Sequence, residues 1–72
     1  MHDVCVIGLG YIGLPTAIMF ADRGARVYGV DLSDAIVNAT NSGALHINEP
    51  GLDEMLAAAV SCGNLRAGVS IE

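Results

Sequence analysis

Val4-Cys5-Val6-Ile7 is an unbroken apolar run rich in β-branched side chains and closed by Gly8. Such a run reads as a strand buried on both faces. Between Tyr11 and Arg23, Leu14, Ala17, Ile18 and Ala21 recur at the spacing of one helix face, and Gly24 supplies a C-terminal stop. Pro15 falls a little after the first turn of this helix, where its missing backbone donor distorts the start only slightly. Arg26 to Val30 is a second β-rich run, ended by Asp31. Ser33 then offers an N-cap for a helix through Asn41, with Gly43 beyond it. Ala44 to Glu49 reads as a connecting loop, Pro50 suits a first helical position, and Leu52 to Ser61 predicts an alanine-rich helix ending at Gly63. Leu65 to Ile71 reads as a short strand or a tail, since Val69 and Ile71 alternate with polar neighbours while glycines flank the region. Strands alternating with helices predict an α/β fold with a parallel sheet of two or three strands.

Composition narrows the class. At 72 residues the chain is one domain at most, and residues 1–72 read as part of one, with no repeat, linker or charge block to mark a second. With 53% hydrophobic and 15% charged residues, the sequence has a core to bury and is not a disordered tail. Eight acidic residues against three arginines give a net charge of -5, which repels a polyphosphate backbone, so nucleic acid and anionic membrane surfaces are poor partners. No apolar run approaches the roughly 18 to 20 residues of a membrane span. Met1-His2-Asp3 lacks the basic opening of a secretory signal, and the expectation is a cytoplasmic protein. Cys5 and Cys62 lack metal-ligand spacing and read as buried packing thiols.

The chemistry concentrates in Gly8-Leu9-Gly10-Tyr11-Ile12-Gly13, a G-x-G-x-x-G match between a predicted strand and a predicted helix. Gly8 permits the tight turn off the strand, Gly10 lets a pyrophosphate approach the backbone, and Gly13 lets the helix pack closely on the sheet. Backbone amides at the helix start, those of Tyr11 and Ile12 among them, would face the phosphates with the positive end of the helix dipole behind them. That dipole is worth only about 0.3 to 1 kcal/mol, up to about 2 when partly buried, so ribose and adenine contacts must add the rest. Asp31 ends the second strand 18 positions after Gly13, near the offset at which a carboxylate accepts from the adenosine ribose hydroxyls. The same carboxylate would repel a 2′-phosphate, and no arginine follows it until Arg66, so NAD is favoured over NADP. Glycine turns alone also serve flavin, S-adenosylmethionine and structural roles; the strand, helix and Asp31 together point to a dinucleotide in a Rossmann-like βαβ unit.

The other polar residues have plainer readings. Tyr11 shields the turn with its ring, and His2 and His46 stand alone without a metal-spaced partner. Asp34, Asp53 and Glu54 fall in first helical turns, where carboxylates suit the dipole. Glu49 stands in a loop before a helix, where capping is the simpler reading and a place in the cleft the other. No Ser-His-Asp set, activated Cys-His pair or carboxylate pair is visible, and no catalytic residue is assigned.

VCVIGLGYIGLPTA at Val4 to Ala17, VYGVD at Val27 to Asp31, ALHINEPGLDE at Ala44 to Glu54 and LRA at Leu65 to Ala67 resemble the amino-terminal segment of the UDP-glucose/GDP-mannose dehydrogenase family. The resemblance covers nearly the whole chain, and YIGLP followed by the EPGL loop is far more specific than the glycine motif. It implies an NAD-dependent oxidation of a nucleotide-sugar C6 alcohol to a carboxylate by a protein whose nucleophilic cysteine, other catalytic groups and UDP-sugar site lie beyond Glu72. Neither Cys5 nor Cys62 matches that nucleophile. The cofactor half carries over: Gly8, Gly10, Tyr11, Ile12 and Gly13 around the pyrophosphate, and Asp31 on the ribose. The chain alone is expected to be inactive as a dehydrogenase and, with strand edges and helix faces uncovered, to self-associate. The alternatives are a stand-alone nucleotide-binding or interaction module that uses the same turn without chemistry, or a member of the same family that acts on UDP-glucose or UDP-N-acetylglucosamine.

Overall fold

A computed structural model describes residues 3–10, 12–45 and 49–70. The predicted alternation is present, and the open question at the C-terminal end resolves as a strand. The elements are β1 (Val4–Ile7), α1 (Gly13–Asp22), β2 (Val27–Val30), α2 (Asp34–Asn41), α3 (Leu52–Ser61) and β3 (Leu65–Gly68). The three strands are parallel in the order β1-β2-β3, with Val4 opposite Val27 and Val27 opposite Leu65.

Because side chains alternate across a strand, this register puts Val4, Val6, Val27, Gly29, Leu65 and Ala67 on one face. That face and the helices enclose the core, in which Leu14, Ala17, Ile18 and Ala21 of α1 meet Leu56 and Ala59 of α3 and Val37 of α2. The α1 residues are the ones its periodicity marked. The opposite face is largely bare at β1, where Cys5 and Ile7 are exposed. The expectation that β1 is buried on both faces is therefore corrected: β1 is an edge strand, and β2, buried at all four positions, is the strand covered on both sides. Both thiols are exposed rather than buried, Cys5 because it points from that bare face and Cys62 because it caps the C-terminus of α3 at the surface.

The prolines also sit differently from the sequence reading. α1 begins at Gly13, two residues later than expected, so Pro15 occupies its first turn, where no intrahelical bond needs an N–H. Gly51, with φ +84°, takes the N-cap of α3, and Pro50 precedes the helix instead of opening it. Ser33 caps α2 as expected, its Oγ accepting from the Ile36 N–H at 3.3 Å. At the entry to the sheet, Asp3 and Arg26 bond reciprocally: the Arg26 N–H donates to Asp3 Oδ2 at 3.0 Å, and the Asp3 N–H to the Arg26 carbonyl at 2.8 Å. The backbone bond from Arg26, ahead of its charge, holds the Asp3 carboxyl below its ordinary 3.8.

Candidate functional site

The strand ends bring the predicted residues together. Ile7 and Val30 are register partners at the C-terminal ends of β1 and β2, and the Gly8 N–H donates to the Val30 carbonyl at 2.7 Å, so the turn leaves the sheet level with Asp31. Gly8 makes the turn at φ +89°, a conformation that costs a residue with a Cβ. Gly13 meets the close approach expected of it, since a Cβ there would overlap the Gly8 carbonyl oxygen. Gly10 differs: a Cβ at this position meets nothing within 4 Å, so no packing explains its bare backbone. The open space in front of Gly10 is what an approaching pyrophosphate requires.

The N-terminus of α1 faces the same turn without a group of its own to satisfy it. Its N-cap, Ile12, makes no side-chain capping bond, and no acidic residue lies in its first turn, whereas α2 has Ser33 and Asp34 and α3 has Asp53 and Glu54. The Leu14 N–H donates to the Gly10 carbonyl at 3.1 Å. Among the described residues, the amides of Ile12 and Gly13 have no acceptor. These amides and the dipole behind them suit an anion. Tyr11 lies outside the described residues, as do His2 and His46.

Beside the turn, Ile7, Gly8, Val30, Asp31 and Leu32 line an open hollow of about 430 Å³. Ile7 and Leu32 are 71% and 91% exposed there, two apolar surfaces flanking one carboxylate. Asp31, one of the residues lining the hollow, has both oxygens engaged: Oδ2 accepts from the Leu9 N–H and Oδ1 from the Ser33 N–H, each at 2.9 Å. Each carboxylate oxygen has more than one acceptor direction, which is how a carboxylate serves backbone N–H and hydroxyl donors together. Glu49 is exposed and outside this cluster; its carbonyl accepts from the Leu52 N–H at 3.2 Å, and Gly51 does the capping that the sequence reading gave to Glu49.

Two residues that hold the site escaped the sequence reading. Leu9, the variable position inside the glycine motif, is fully buried, and its side chain lies where a Cβ on Gly29 would be, 2.6 Å from that position. The signal was present in VYGVD: a glycine inside a strand costs stability unless another group must come close. Gly29 leaves room for Leu9, and Leu9 pins the turn to the sheet.

This geometry agrees with what the chain is similar to. Residues 2–72 match the model of the UDP-glucose/GDP-mannose dehydrogenase family, NAD binding domain. The chain belongs to that family. The matched model describes an NAD binding domain, in line with the cofactor the Asp31 reading favoured. The chain is 56% identical over 66 residues to a UDP-N-acetyl-D-mannosamine dehydrogenase from Campylobacter jejuni, covering 92% of this chain and 16% of that one. The solved UDP-N-acetyl-mannosamine dehydrogenase from Staphylococcus aureus superposes with a TM-score of 0.91 at 43% identity, over 96% of this chain and 17% of that one. A GDP-mannose dehydrogenase from Pseudomonas aeruginosa, solved as a ternary complex, gives 0.91 at 34% identity, over 93% of this chain and 15% of that one. The chain spans 15–17% of the length of the curated relatives it matches. Among the described residues, no three His, Cys, Asp or Glu side chains gather as a metal site, and no helix is long and apolar enough to cross a membrane.

Proposed function

We propose that residues 1–72 form the amino-terminal part of the NAD-binding domain of a nucleotide-sugar 6-dehydrogenase. The substrate class is a UDP-sugar, with UDP-N-acetyl-D-mannosamine favoured by the names of its relatives, oxidised at C6 to a carboxylate. The single observation that carries the cofactor half is the bare backbone at Gly10, where a Cβ would meet nothing within 4 Å, in the turn that leads to the uncapped N-terminus of α1. In this reading Gly8, Gly10, Tyr11, Ile12 and Gly13 surround the pyrophosphate, which the amides of Tyr11 and Ile12 at the helix start face, while the Gly8 N–H stays on the Val30 carbonyl. Asp31 accepts from the adenosine ribose hydroxyls and repels a 2′-phosphate, and Ile7 and Leu32 offer apolar surface to the adenine. NAD, when bound, supplies the hydride acceptor.

The chain contributes binding and orientation, and the groups that act on the sugar belong to other parts of a longer protein. By itself it yields no NADH from NAD and a UDP-sugar. A cytoplasmic setting and a role in supplying acidic sugars for polysaccharide synthesis fit this activity, since NAD and nucleotide sugars are cytoplasmic metabolites. The 72-residue chain also pairs with copies of itself through the uncovered side of its sheet.

Calorimetric titration with NAD and with NADP tests the cofactor reading. NAD is expected to bind with NADP far weaker, and a folded chain that binds both equally, or NADP better, would overturn the assignment of Asp31 as the discriminating group.

A further inference from the structure

Asp31 is placed at one end of the cofactor site, yet its bonds run through the whole of it. Its Oδ2 holds the Leu9 N–H, 22 positions earlier, at the centre of the glycine turn. Its Oδ1 holds the Ser33 N–H, and Ser33 in turn caps α2 through the Ile36 N–H. The Asp31 N–H donates to the Gly68 carbonyl of β3 at 3.1 Å, so the backbone that carries the carboxylate is fixed to the sheet. One side chain thus joins the phosphate turn, the end of β2 and the start of α2 before any ligand is present.

We propose that Asp31 is a positioning residue for the phosphate turn as well as a ribose acceptor: its carboxylate presets the backbone at Gly8 to Gly10 through Leu9, and this presetting contributes to dinucleotide affinity independently of the ribose hydroxyls. A neutral side chain cannot do both jobs. Alanine removes both acceptors. Asparagine keeps the shape but replaces one acceptor oxygen with an NH2 that faces an N–H. The two backbone bonds also restrain the carboxylate from swinging aside, so a 2′-phosphate meets a fixed charge, not one that yields.

The inference rests on the NAD reading only for its second half, and the experiment separates the two. Amide hydrogen exchange is followed in the ligand-free chain for wild type, Asp31→Ala and Asp31→Asn. Exchange at Leu9 and Ser33 is expected to quicken by at least about tenfold in Asp31→Ala, the scale of a lost charge-assisted bond, with Asp31→Asn between. The Val27 and Asn64 amides, which donate to the Asn64 and Ala59 carbonyls, keep their protection and report an intact sheet. Titration then compares NAD with an analogue whose adenosine ribose is 2′,3′-dideoxy. Positioning predicts that Asp31→Ala weakens the analogue as well as NAD; an analogue that binds Asp31→Ala and wild type equally, or a Leu9 amide whose exchange does not change, would overturn it. Wild type that binds neither nucleotide refutes the NAD reading, and the exchange result still decides whether Asp31 sets the turn.

Discussion

Three glycines share one motif, but the structure gives them different physical burdens. A methyl on Gly13 collides with the Gly8 backbone, whereas a methyl on Gly10 enters open space. Gly13→Ala should therefore destabilise the fold by at least about 1 to 3 kcal/mol, the usual cost of overpacking where backbone has to move. Gly10→Ala should leave thermal stability within about 0.5 kcal/mol and weaken NAD binding by at least about tenfold, equivalent to about 1.4 kcal/mol. Melting and calorimetric titration of the two variants check the contrast; a Gly10→Ala chain that melts early yet binds NAD normally would reverse the roles assigned here. The close packing at Gly13 and the placement of Asp31 beside the turn were legible in spacing alone, because both follow from where a strand ends and a helix begins. Leu9 was not, because the motif treats its position as arbitrary. Its burial depends on Gly29, 20 positions away, and only the paired strands bring the two together.

Elements were legible wherever periodicity and caps agreed, as with α2 between Ser33 and Asn41. Their ends were less so, since Ile12, inside the helix expected from Tyr11, is the N-cap that precedes α1. Local pattern also gives no sign of what Asn41 does. From the last turn of α2 its Nδ2 donates to the Ala67 carbonyl at 2.9 Å and its Oδ1 accepts from the Ala67 N–H at 2.8 Å. The amide group thus presents to the outer edge of β3 the donor and acceptor that another strand would. Edge strands need such protection. Asn41→Leu should cost about 1 to 2 kcal/mol, the net worth of two partly exposed bonds, read as a lower denaturation midpoint at unchanged slope. Asn41→Asp, which keeps an acceptor for the N–H but sets a carboxylate oxygen against the carbonyl, should recover none of the loss. A variant with wild-type stability would mean that water replaces Asn41 at no cost.

On the scale of the whole molecule, the two edges of the sheet are treated unequally. Asn41 occupies the β3 edge, while on the other side β1 carries only Val, Cys, Val and Ile, none of the charges with which edge strands usually deter pairing. Ile7 at 71%, Leu32 at 91% and, on α1, Met19 at 47% and Phe20 at 42% are further exposed apolar side chains. The sequence suggested uncovered edges from length, but not which edge, because the order of strands comes from the sheet and not from the chain. A second copy offers β1 an identical uncharged edge, so an isologous strand pair needs no further complementarity. Sedimentation across a concentration series should show the 72-residue chain forming dimers or larger species. Cys5→Lys, which adds a charge on the exposed face of β1 without touching the core, should shift it toward monomer, while Asn41→Leu, by opening the β3 edge, should drive association further. A compact wild-type monomer at high concentration would mean that the twist of three short strands is enough to keep the β1 edge from pairing.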